Sequence, residues 1–463
     1  MTIWQPNVFD VPGPRYQALA EAIGTAVGDG SLPPGEKLPP QRELAFRLGV
    51  TVGTVTRAYG LAEQRGFVRG EVGRGTFVRA ASPAHAFRNP VVDGDDDLIK
   101  LTVNSQPDIA AQSHLGESLA KLINGPAPIS DLLAYTPKTG LDPHRKAAAS
   151  WASRTGFTFL PETTLITGGA HQAIVTSIAG LARSGDTILT ETLVYSGFKH
   201  VAARLGIKFQ GLAVDDEGLC PDALAQACQH CNAKVLLVNP TINNPTTATM
   251  SEQRRRAIAD IVRRNDLILV EDDVYGQLPE ERIQPIAALI PERTIYITSA
   301  SKTVAPSLRF GSLSAPESLF DRLADAQHDL FMVCPALLAA LFTQWLDDGT
   351  ADDMVHRQRV EAKARQALAA EILDGTTYCA QPTSYHLWLP LPKPWRSAGF
   401  NEAARARGVA IDPAFIFAVD PEVEPAAIRI SLSAAKNRER LGRALHIIRA
   451  TLEAGPVDRR DSI

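Results

Sequence analysis

Polar and charged residues suited to binding or catalysis recur at the ends of predicted strands beyond residue 160. They form a Gly-Gly turn, an Asn- and Pro-rich loop, an acidic strand end and a lysine-bearing turn, at 167–172, 239–246, 270–275 and 298–302. Arg309 follows Lys302 by seven residues. Because an α/β sheet binds its ligands at the carboxyl ends of its strands, we expect these groups to lie close together.

Taken one at a time, these groups have ordinary explanations: a common strand-to-helix turn, a Pro-rich loop, an acidic loop or metal site, and a solvated lysine. Their joint occurrence at strand ends favours a single binding site. The chemistry that suits the set is that of an aromatic aldehyde carrying a phosphate. A lysine amine forms a Schiff base with the aldehyde, and a carboxylate keeps a pyridine nitrogen protonated. An arginine, a serine and helix N–H groups hold the phosphate.

The elements that position these residues can be predicted from apolar patterns. Strands are predicted at 164–167, 187–190, 235–238, 267–270 and 294–298, and helices between them include 170–183 and 252–264. This alternation predicts an α/β fold with a mostly parallel sheet and helices on both faces. Longer helical patterns with few strands follow. We therefore predict one domain at 98–455, with a large lobe at about 160–330 and a smaller C-terminal α/β lobe at about 331–455.

Residues 100–455 contain these motifs in the same order as the class I aminotransferase family. They therefore resemble that family, fold type I of the pyridoxal 5′-phosphate enzymes. The resemblance implies that Lys302 forms the Schiff base with that cofactor and that Asp272 pairs with the pyridine nitrogen. It implies the other cofactor contacts as well: Asn244 and Tyr275 for the phenolic oxygen, Tyr195 for stacking on the ring, and Ser299, Arg309 and the turn of Gly169, Ala170 and His171 for the phosphate.

The same resemblance gives roles to two more residues and shows two departures. Arg429, within Ile-Arg-Ile-Ser, matches the arginine that clamps a substrate carboxylate. Tyr135, within Tyr-Thr-Pro-Lys-Thr-Gly, matches a residue that reaches the phosphate of a neighbouring subunit. Thr247 stands where glycine often follows Asn-Pro-Thr, which predicts a stiffer loop. His171 takes a position often held by a hydroxyl residue.

The first part of the chain has a different pattern, and we predict a separate domain at 12–80. Apolar Leu19, Ile23 and Val27 predict one helix, and further helices are predicted at about 41–48 and 52–64. Gly49 separates the last two, and the Thr51 hydroxyl is suited to cap the third helix. Strands at 67–68 and 76–78 predict a hairpin. A helix-turn-helix fits this order, and so does a small α/β cap with surface arginines.

Residues 30–78 resemble the GntR-type winged helix almost end to end, including Gly-Ser-Leu-Pro-Pro-Gly, Arg-Glu-Leu-Ala and Gly-Arg-Gly-Thr-Phe-Val. Pro40 departs from the usual serine cap. Exposed positions of the two helices and the hairpin predict the contacts to double-stranded DNA: Arg42, Thr51, Thr54, Arg57 and Arg74. Residues 1–80 hold nine basic and seven acidic side chains in a chain of net charge −4, so this part is basic relative to the rest.

Composition narrows the remaining possibilities. Residues 81–97 contain prolines, a glycine and an acidic run, which predict a linker. No apolar run approaches the roughly 20 residues of a membrane span, and no secretion signal is evident. Five cysteines suit reduced thiols in the cytoplasm. Cys228-Gln229-His230-Cys231 lacks a second ligand pair at a suitable spacing, so no metal site is expected.

The order of winged helix, linker and aminotransferase-like domain resembles the MocR subfamily of transcription regulators. This resemblance implies a cytoplasmic homodimer that binds operator DNA and senses pyridoxal phosphate, a small amine or an amino acid. Arg429 hints at an effector that carries a carboxylate. The alternative is a working aminotransferase with an accessory DNA-binding module, because none of the matched catalytic groups is missing.

Overall fold

The computed structural model describes residues 4, 6, 14–28, 31–33, 35–64, 67–71, 75–78, 98–107, 111–125, 129–332, 335–420, 422–423 and 425–456. The chain divides into two compact units, residues 1–90 and 91–463. Arg74 and the predicted linker at 81–97 lie outside the described residues.

The first unit contains a helix-turn-helix and a short hairpin. Its elements are α1 (Arg15–Gly28), α2 (Gln41–Leu48), α3 (Val52–Gln64), β1 (Val68–Glu71) and β2 (Gly75–Val78), with β1 and β2 antiparallel. Gly49 follows α2 with φ 62°, a left-handed conformation that glycine adopts readily. The Thr51 hydroxyl accepts a 3.2 Å hydrogen bond from the Thr54 N–H, so the predicted cap of α3 is confirmed. Pro40 provides no side-chain cap for α2.

One apolar face from each helix builds the core of this unit. The buried side chains include Leu19 and Ile23 of α1, Leu44 and Leu48 of α2, and Val55 and Ala58 of α3. These positions recur every three or four residues, the spacing of one helical face. The opposite face of α3 is left to solvent, and Arg57 lies on it.

The second unit contains the remaining helices and strands. Its strands are β3 (Ile99–Lys100), β4 (Thr164–Thr167), β5 (Thr187–Glu191), β6 (Lys208–Leu212), β7 (Val214–Asp215), β8 (Gly218–Leu219), β9 (Val235–Val238), β10 (Ile268–Asp272), β11 (Thr294–Ser299), β12 (Gly311–Ser314), β13 (His386–Pro390), β14 (Val409–Ala410), β15 (Asp412–Pro413) and β16 (Ala427–Ser431). Its helices are α4 (Ala111–Ile123), α5 (Ile129–Leu133), α6 (Asp142–Ser153), α7 (Ala170–Leu181), α8 (Ser196–Leu205), α9 (Pro221–His230), α10 (Glu252–Arg264), α11 (Glu317–Phe331), α12 (Ala336–Asp347), α13 (Thr350–Ile372), α14 (Ser397–Ala406) and α15 (Arg438–Ala454).

A seven-stranded sheet forms the centre of the large lobe, in the order β4-β12-β11-β10-β9-β5-β6. Its neighbours are parallel except at β12, which is antiparallel to β4 and β11. The predicted α/β fold with a mostly parallel sheet is therefore confirmed. Two strands of this sheet, β6 and β12, were not predicted. The Gly-Ser-Leu-Ser sequence of β12 lacks the apolar character of a buried strand.

Helices cover both faces of this sheet. Side chains of α7, α8 and α11 pack on one face, and those of α9 and α10 pack on the other. Within β9, Val235 and Leu237 contact the first set while Leu236 and Val238 contact the second. A strand buried on both sides needs the uninterrupted apolar run that this sequence provides.

The small lobe has its own sheet and core. Strands β13, β16 and β15 form an antiparallel sheet. Buried side chains of α13, α14 and α15 share a hydrophobic core with this sheet. β3 pairs with β14 of the small lobe, so the first described residues of the second unit belong to the small lobe. Residues 98–104 were not predicted to pair with this lobe. This pairing carries the chain directly into the candidate site at Asn104.

Candidate functional site

Polar groups end three neighbouring strands of the large sheet. Asp272 is the last residue of β10, Ser299 is the last residue of β11, and Lys302 lies three residues further on. Asn239 follows β9, and its Nδ2 donates a 2.6 Å hydrogen bond to the Asp272 carbonyl. Because β9, β10 and β11 run parallel, the structure brings these groups to one edge.

The Gly-Gly turn and Arg309 form a cradle at the start of α7. Gly169 has φ 95°, and Nη2 of Arg309 donates to the Gly168 carbonyl at 2.5 Å. A Cβ on Gly169 would lie 3.1 Å from that Nη2, and a Cβ on Gly311 would lie 2.7 Å from the Cα of Gly169. Side chains at either glycine would therefore fill the cradle. The first-turn N–H groups of α7 and the positive end of its dipole favour an anion here.

Ala170 begins α7, and His171 follows it at the rim of the cradle. Desolvation lowers the pKa of His171, and electrostatic interactions with Arg309 and His200 add to this effect. The imidazole is therefore neutral at pH 7, where it has one N–H donor and one acceptor. The replacement of the usual hydroxyl by histidine keeps the capacity to donate a hydrogen bond to a phosphate.

Two serines lie beside the cradle, and their hydroxyls are 2.9 Å apart. Ser299 is buried, donates to the Phe310 carbonyl at 2.8 Å and accepts from the Ser301 N–H at 3.1 Å. Ser301 is partly exposed. Sequence reasoning named Ser299 and missed Ser301, although a hydroxyl residue immediately before Lys302 was an available signal. Because Ser299 is engaged by the chain, Ser301 is the more accessible hydroxyl for a ligand.

Lys302 has the properties of an amine nucleophile. Its Nζ donates a short hydrogen bond to the backbone carbonyl of Asn104. Burial lowers the pKa of Lys302 to about 8, the positive charge of Arg429 contributes to the lowering, and the carboxylate of Asp272 opposes it. A lysine with an ordinary pKa near 10.5 is almost wholly protonated at pH 7.5, whereas this one has a substantial neutral fraction.

Asp272 provides the test of whether the site fits pyridoxal phosphate. Its carboxylate is buried, and Oδ1 has no hydrogen-bond partner among the described residues. Burial raises the pKa of Asp272 to about 7, with a further contribution from the negative charge of Asp273. A buried carboxylate oxygen without a partner is costly, and a protonated pyridine nitrogen is a suitable donor for it. The residues present fit the cofactor.

The predicted contacts to the phenolic oxygen come together with two residues that the sequence analysis missed. Tyr275 is buried, and burial raises its pKa to about 12. The Nδ2 of Asn104 donates to the Tyr275 hydroxyl at 3.2 Å and lies 2.9 Å from Nδ1 of His386. Asn244 presents its Oδ1 to Arg429 at 2.6 Å. Asn104 and His386 had no local signal, because neither lies in a motif.

His386 is fully buried in this network and remains uncharged. Its Nδ1 accepts from Asn104, and its Nε2 lies 3.2 Å from the carbonyl of Asn243. Desolvation lowers the pKa of His386 to about 3, and the positive charge of Arg429 adds to the effect. The proton therefore resides on Nε2. The histidine connects β13 to the loop that carries Asn244.

Three non-glycine residues with positive φ surround the site: Ile242 at 50°, Thr247 at 65° and Arg309 at 47°. Left-handed backbone costs roughly 1–2 kcal/mol per residue for side chains other than glycine. Thr247 is the position where the family often has glycine, which explains that preference. The buried environment of Thr247 and its N–H bond to the Asn243 carbonyl at 2.7 Å hold the strained loop in place.

Tyr195 precedes α8 and is partly buried. Its ring meets that of Phe198 edge to face, with centroids 5.5 Å apart. Gly197 is needed there, because a Cβ would collide with the Tyr195 ring. Burial raises the pKa of Tyr195, and Arg429, Asp272 and Arg309 all act on it electrostatically, so the ring lies among the predicted cofactor contacts.

Arg429 lies on β16 and is 5% exposed. Its guanidinium contacts Asn244, the Thr102 carbonyl and the carboxylate of Asp412, and it lies 4.7 Å from the centre of the Phe417 ring. The structure thus places Arg429 beside the predicted cofactor contacts. Its ion pair with Asp412 was not predicted from the sequence.

Tyr135 is not brought into the site of its own chain. Its side chain is 85% exposed, and it follows the short helix α5. The predicted role of Tyr135 involves a neighbouring subunit, and it stays a prediction.

The predicted DNA contacts lie on α2, α3 and their junction. Arg42, Thr51 and Arg57 are exposed, and Thr54 is partly exposed. The Oγ1 of Thr56 donates to Oε1 of Gln41 at 2.7 Å and ties α3 to α2. This arrangement presents the start of α3 on one surface, as a recognition helix requires.

Metal and membrane signals are missing from the part of the chain that the structure describes. There, no group of three or more His, Cys, Asp or Glu side chains is placed to hold a metal ion. None of the helices described has the length and apolarity to cross a bilayer.

Comparisons with known proteins follow the same division of the chain. Residues 96–448 match the family model "Aminotransferase class I and II", and residues 15–78 match "Bacterial regulatory proteins, gntR family". The predicted winged helix and aminotransferase-like fold are therefore confirmed. Members of this aminotransferase family depend on pyridoxal phosphate, which confirms the predicted cofactor.

Individual relatives share this organisation. The chain is 29% identical to the uncharacterized HTH-type transcriptional regulator YdeF of Bacillus subtilis over 97% of both chains. It is 25% identical to the HTH-type pyridoxine biosynthesis transcriptional regulator PdxR of Corynebacterium glutamicum over 77% of this chain and 78% of that one. A Pyrococcus horikoshii kynurenine aminotransferase structure superposes with a TM-score of 0.72 at 22% identity, over 78% of this chain and 92% of that one.

The two matched regions lie in one chain, with the helix-turn-helix first and the cofactor fold second. That order is the predicted MocR architecture, which is confirmed. The chain belongs to the class I and II aminotransferase family and is a gntR-type regulator fused to an aminotransferase-like domain.

Proposed function

We propose that the second unit binds pyridoxal phosphate through the predicted site residues, and that reaction with a small amine or amino acid there changes the affinity of the first unit for operator DNA. The observation that carries this proposal is the buried Oδ1 of Asp272 at the sheet edge that also carries Lys302. No described residue offers that oxygen a hydrogen bond. A structural domain that merely carried a DNA reader would have no use for that arrangement.

When bound, the cofactor supplies an aldehyde that condenses with amines and a ring that withdraws electrons. Lys302 would be the amine that this chain offers, since its pKa near 8 leaves part of it neutral at physiological pH. Asp272 would hold the proton on the pyridine nitrogen. Asn244 and Tyr275 would orient the phenolic oxygen, and Tyr195 would cover one ring face.

The phosphate would lie in the cradle at the start of α7. Arg309 offers a fixed positive charge, and the backbone of Gly169, Ala170 and His171 offers N–H groups at a helix N-terminus. Ser299 and its neighbour Ser301 complete this set with hydroxyls. The backbone N–H groups and the serine hydroxyls are positioned by the fold, and Arg309 is held by its hydrogen bond to the Gly168 carbonyl, so less entropy is lost when the anion binds.

Covalent trapping of the bound cofactor on its lysine tests the placement directly. Borohydride treatment of the loaded protein, followed by digestion and mass spectrometry, should find the cofactor's mass on the peptide that contains Lys302. Lys146, an exposed lysine of α6, is the internal control and should remain unmodified. Label on another lysine would contradict the proposed site.

The first unit would hold the operator through Arg42, Thr51, Thr54 and Arg57, with α3 in the major groove. Arg74, at the hairpin, is proposed to contact the same DNA in the adjacent minor groove. A DNA-binding regulator works where the DNA lies, so we assign the protein to the cytoplasm.

We further propose a homodimer. Large apolar side chains are exposed on the second unit at α4, α5 and the end of α11: Ile123, Leu133, Tyr135, Phe331 and Met332. Exposed apolar patches mark interaction sites, and we propose that a second copy of the chain covers these side chains. Two DNA readers on a symmetric dimer then require two half-sites in the operator. Nuclease footprinting of the DNA upstream of the gene should show a paired protection, and a single protected half-site would contradict the dimer.

A working aminotransferase is the second candidate, favoured by one observation. The lowered pKa of Lys302 makes it a competent general base as well as a nucleophile. Amino-acid panels with an oxo-acid acceptor would decide between the two. Turnover at ordinary enzyme rates, about 1–1,000 per second, would favour the enzyme, and a single slow half-reaction would favour the regulator.

A further inference from the structure

Arg429 is already paired with a carboxylate of its own chain. Asp412 on β15 stands opposite Arg429 on β16 in the strand register, and the two side chains form an ion pair. Their side chains are only 13% and 6% exposed, respectively. An ion pair this buried is a fixed part of the pocket, unlike a surface pair that solvent loosens.

The remaining bonds of the guanidinium restrict what else it can bind. Nη1 donates to Oδ1 of Asn244 at 2.6 Å, and Nη2 donates both to the Thr102 carbonyl at 2.6 Å and to Asp412. Both hydrogens of Nη2 are therefore in use. Each of the two edges through which an arginine grips a carboxylate with paired bonds includes Nη2. Nε has no hydrogen-bond partner among the described residues, so a single bond to its N–H is open to a ligand. A ligand carboxylate could take a paired grip only by displacing Thr102 or Asp412.

Charge leads to the same conclusion as geometry. The pair of Asp412 and Arg429 sums to zero when both are ionised, and a second carboxylate would bring the local sum to −1 in a water-poor site. Like charges that share a buried site disfavour each other strongly. Burial raises the pKa of Asp412 to about 6, and Arg429 opposes the rise, so the carboxyl is mostly ionised at pH 7.5.

Arg429 also faces the amine end of the pocket. It is bonded to Asn244, and its positive charge acts on Lys302, Tyr275 and His386. A ligand amine at Lys302 therefore places its substituents near the guanidinium. Whether that guanidinium is available decides whether an amino acid or a simple amine fits better.

We propose that Asp412 occupies Arg429 and makes the pocket selective for primary amines that carry no carboxylate. This inference rests on the proposed function of the same site, and it narrows the effector class. It also revises the sequence-based expectation of an effector with a carboxylate. Asp412 acts here as a specificity residue through Arg429 and need not touch the amine.

Matched ligand pairs test the proposal on the cofactor-loaded full chain. Phenylalanine with phenethylamine, and lysine with 1,5-diaminopentane, differ within each pair by the carboxylate alone. The readouts are the half-saturation concentration from the absorbance of the bound cofactor and the change in affinity for operator DNA. For the wild type, each amine should half-saturate at a concentration at least tenfold lower than its amino acid.

Asp412→Asn removes the negative charge at nearly constant shape and should shift the ratio toward the amino acid by at least tenfold. Asp420→Asn removes the same charge from an exposed position and should leave the ratio unchanged. Wild-type preference for the amino acids would overturn the inference even if the Asp412 variant did not fold. An unchanged ratio in a folded Asp412→Asn protein would overturn it as well.

The failure of the inference is distinguishable from failure of the proposed function. If amino acids act better than amines on wild-type absorbance and DNA binding, only the role of Asp412 is wrong. If neither class changes the absorbance or the DNA affinity, the proposed effector response is wrong and the inference falls with it.

Discussion

The DNA-reading surface and the cofactor pocket are built in opposite ways. The predicted DNA contacts described by the structure come from one stretch of the chain, 42–57, and their side chains are exposed or partly exposed. The pocket combines residues as distant as Asn104, Asp272, Lys302 and Arg429, and most of its polar atoms are buried and bonded to one another. A local, solvated surface and a non-local, buried network should respond very differently to substitution.

The cofactor pocket differs from the DNA-reading surface mainly in burial. In the pocket, desolvation shifts the pKa values of Lys302 and Asp272, so each charge there depends on its neighbours. Exposed arginines keep their hydration and interact mainly through charge, which salt screens. We therefore expect large, specific losses in the pocket and moderate, salt-dependent losses on the DNA surface.

The largest effect is expected from Lys302→Ala, which removes the only group proposed to attach the cofactor. The visible absorbance of the attached cofactor should vanish, and borohydride should leave no label on the chain. Lys146→Ala, an exposed control on α6, should keep both signals. Retention of the absorbance by the Lys302 variant would contradict the expectation that substitutions in the buried pocket cause large, specific losses.

A second large effect is expected from pH on cofactor uptake. Burial lowers the pKa of Lys302 to about 8, and only the neutral amine attacks an aldehyde. Below pH 8 the uptake rate of cofactor-free protein should rise about tenfold per pH unit, and it should level off above that. Stopped-flow absorbance between pH 6 and 10 measures this. A rate that still climbs between pH 9 and 10 would mean that the lysine is solvated like a surface residue.

Asp272→Asn should weaken cofactor binding by about 10- to 100-fold, the value of a charge-assisted hydrogen bond of about 1.5–3 kcal/mol. The amide keeps the size of the carboxylate but cannot hold the pyridine proton by charge. Equilibrium dialysis of the cofactor measures the loss. Asp260→Asn, on the exposed side of α10, is the matched control. Equal affinities for the wild type and both variants would argue against Asp272 as the ring partner.

The smallest effect is expected on the DNA surface. Arg57→Ala should weaken operator binding by about tenfold and reduce the slope of log affinity against log salt by about 1 if the arginine contacts a phosphate. Arg256→Ala, an ion-paired surface arginine of α10, should change neither. A loss confined to one operator base, with an unchanged salt slope, would instead identify a base contact.

Local rules predicted the first unit well. The bounds of α2 and α3 depend on Gly49 and Thr51, which act through the backbone next to them. The predicted bounds of β4, β9 and α10 also match the structure. Apolar period and capping operate within a few residues, so the sequence contains them.

The pocket could be predicted only in part. Motifs identified Lys302, Asp272 and Arg309, because their spacing within short stretches is characteristic. Asn104, His386 and Asp412 were missed, because each enters the site through pairing of strands from distant segments, β3 with β14, β13 with β16 and β15 with β16. Contacts of that range depend on tertiary packing, which no local period encodes.

If chemistry at the pocket changes DNA affinity, fluorescence anisotropy of DNA from upstream of the gene will detect it. Wild type and Lys302→Ala would be compared at one salt concentration, without cofactor, with pyridoxal phosphate, and with pyridoxal phosphate plus phenethylamine. We expect the wild-type dissociation constant to change at least tenfold between these states and that of the variant to stay the same. Equal DNA affinity in all wild-type states, with cofactor attachment verified by absorbance, would contradict it.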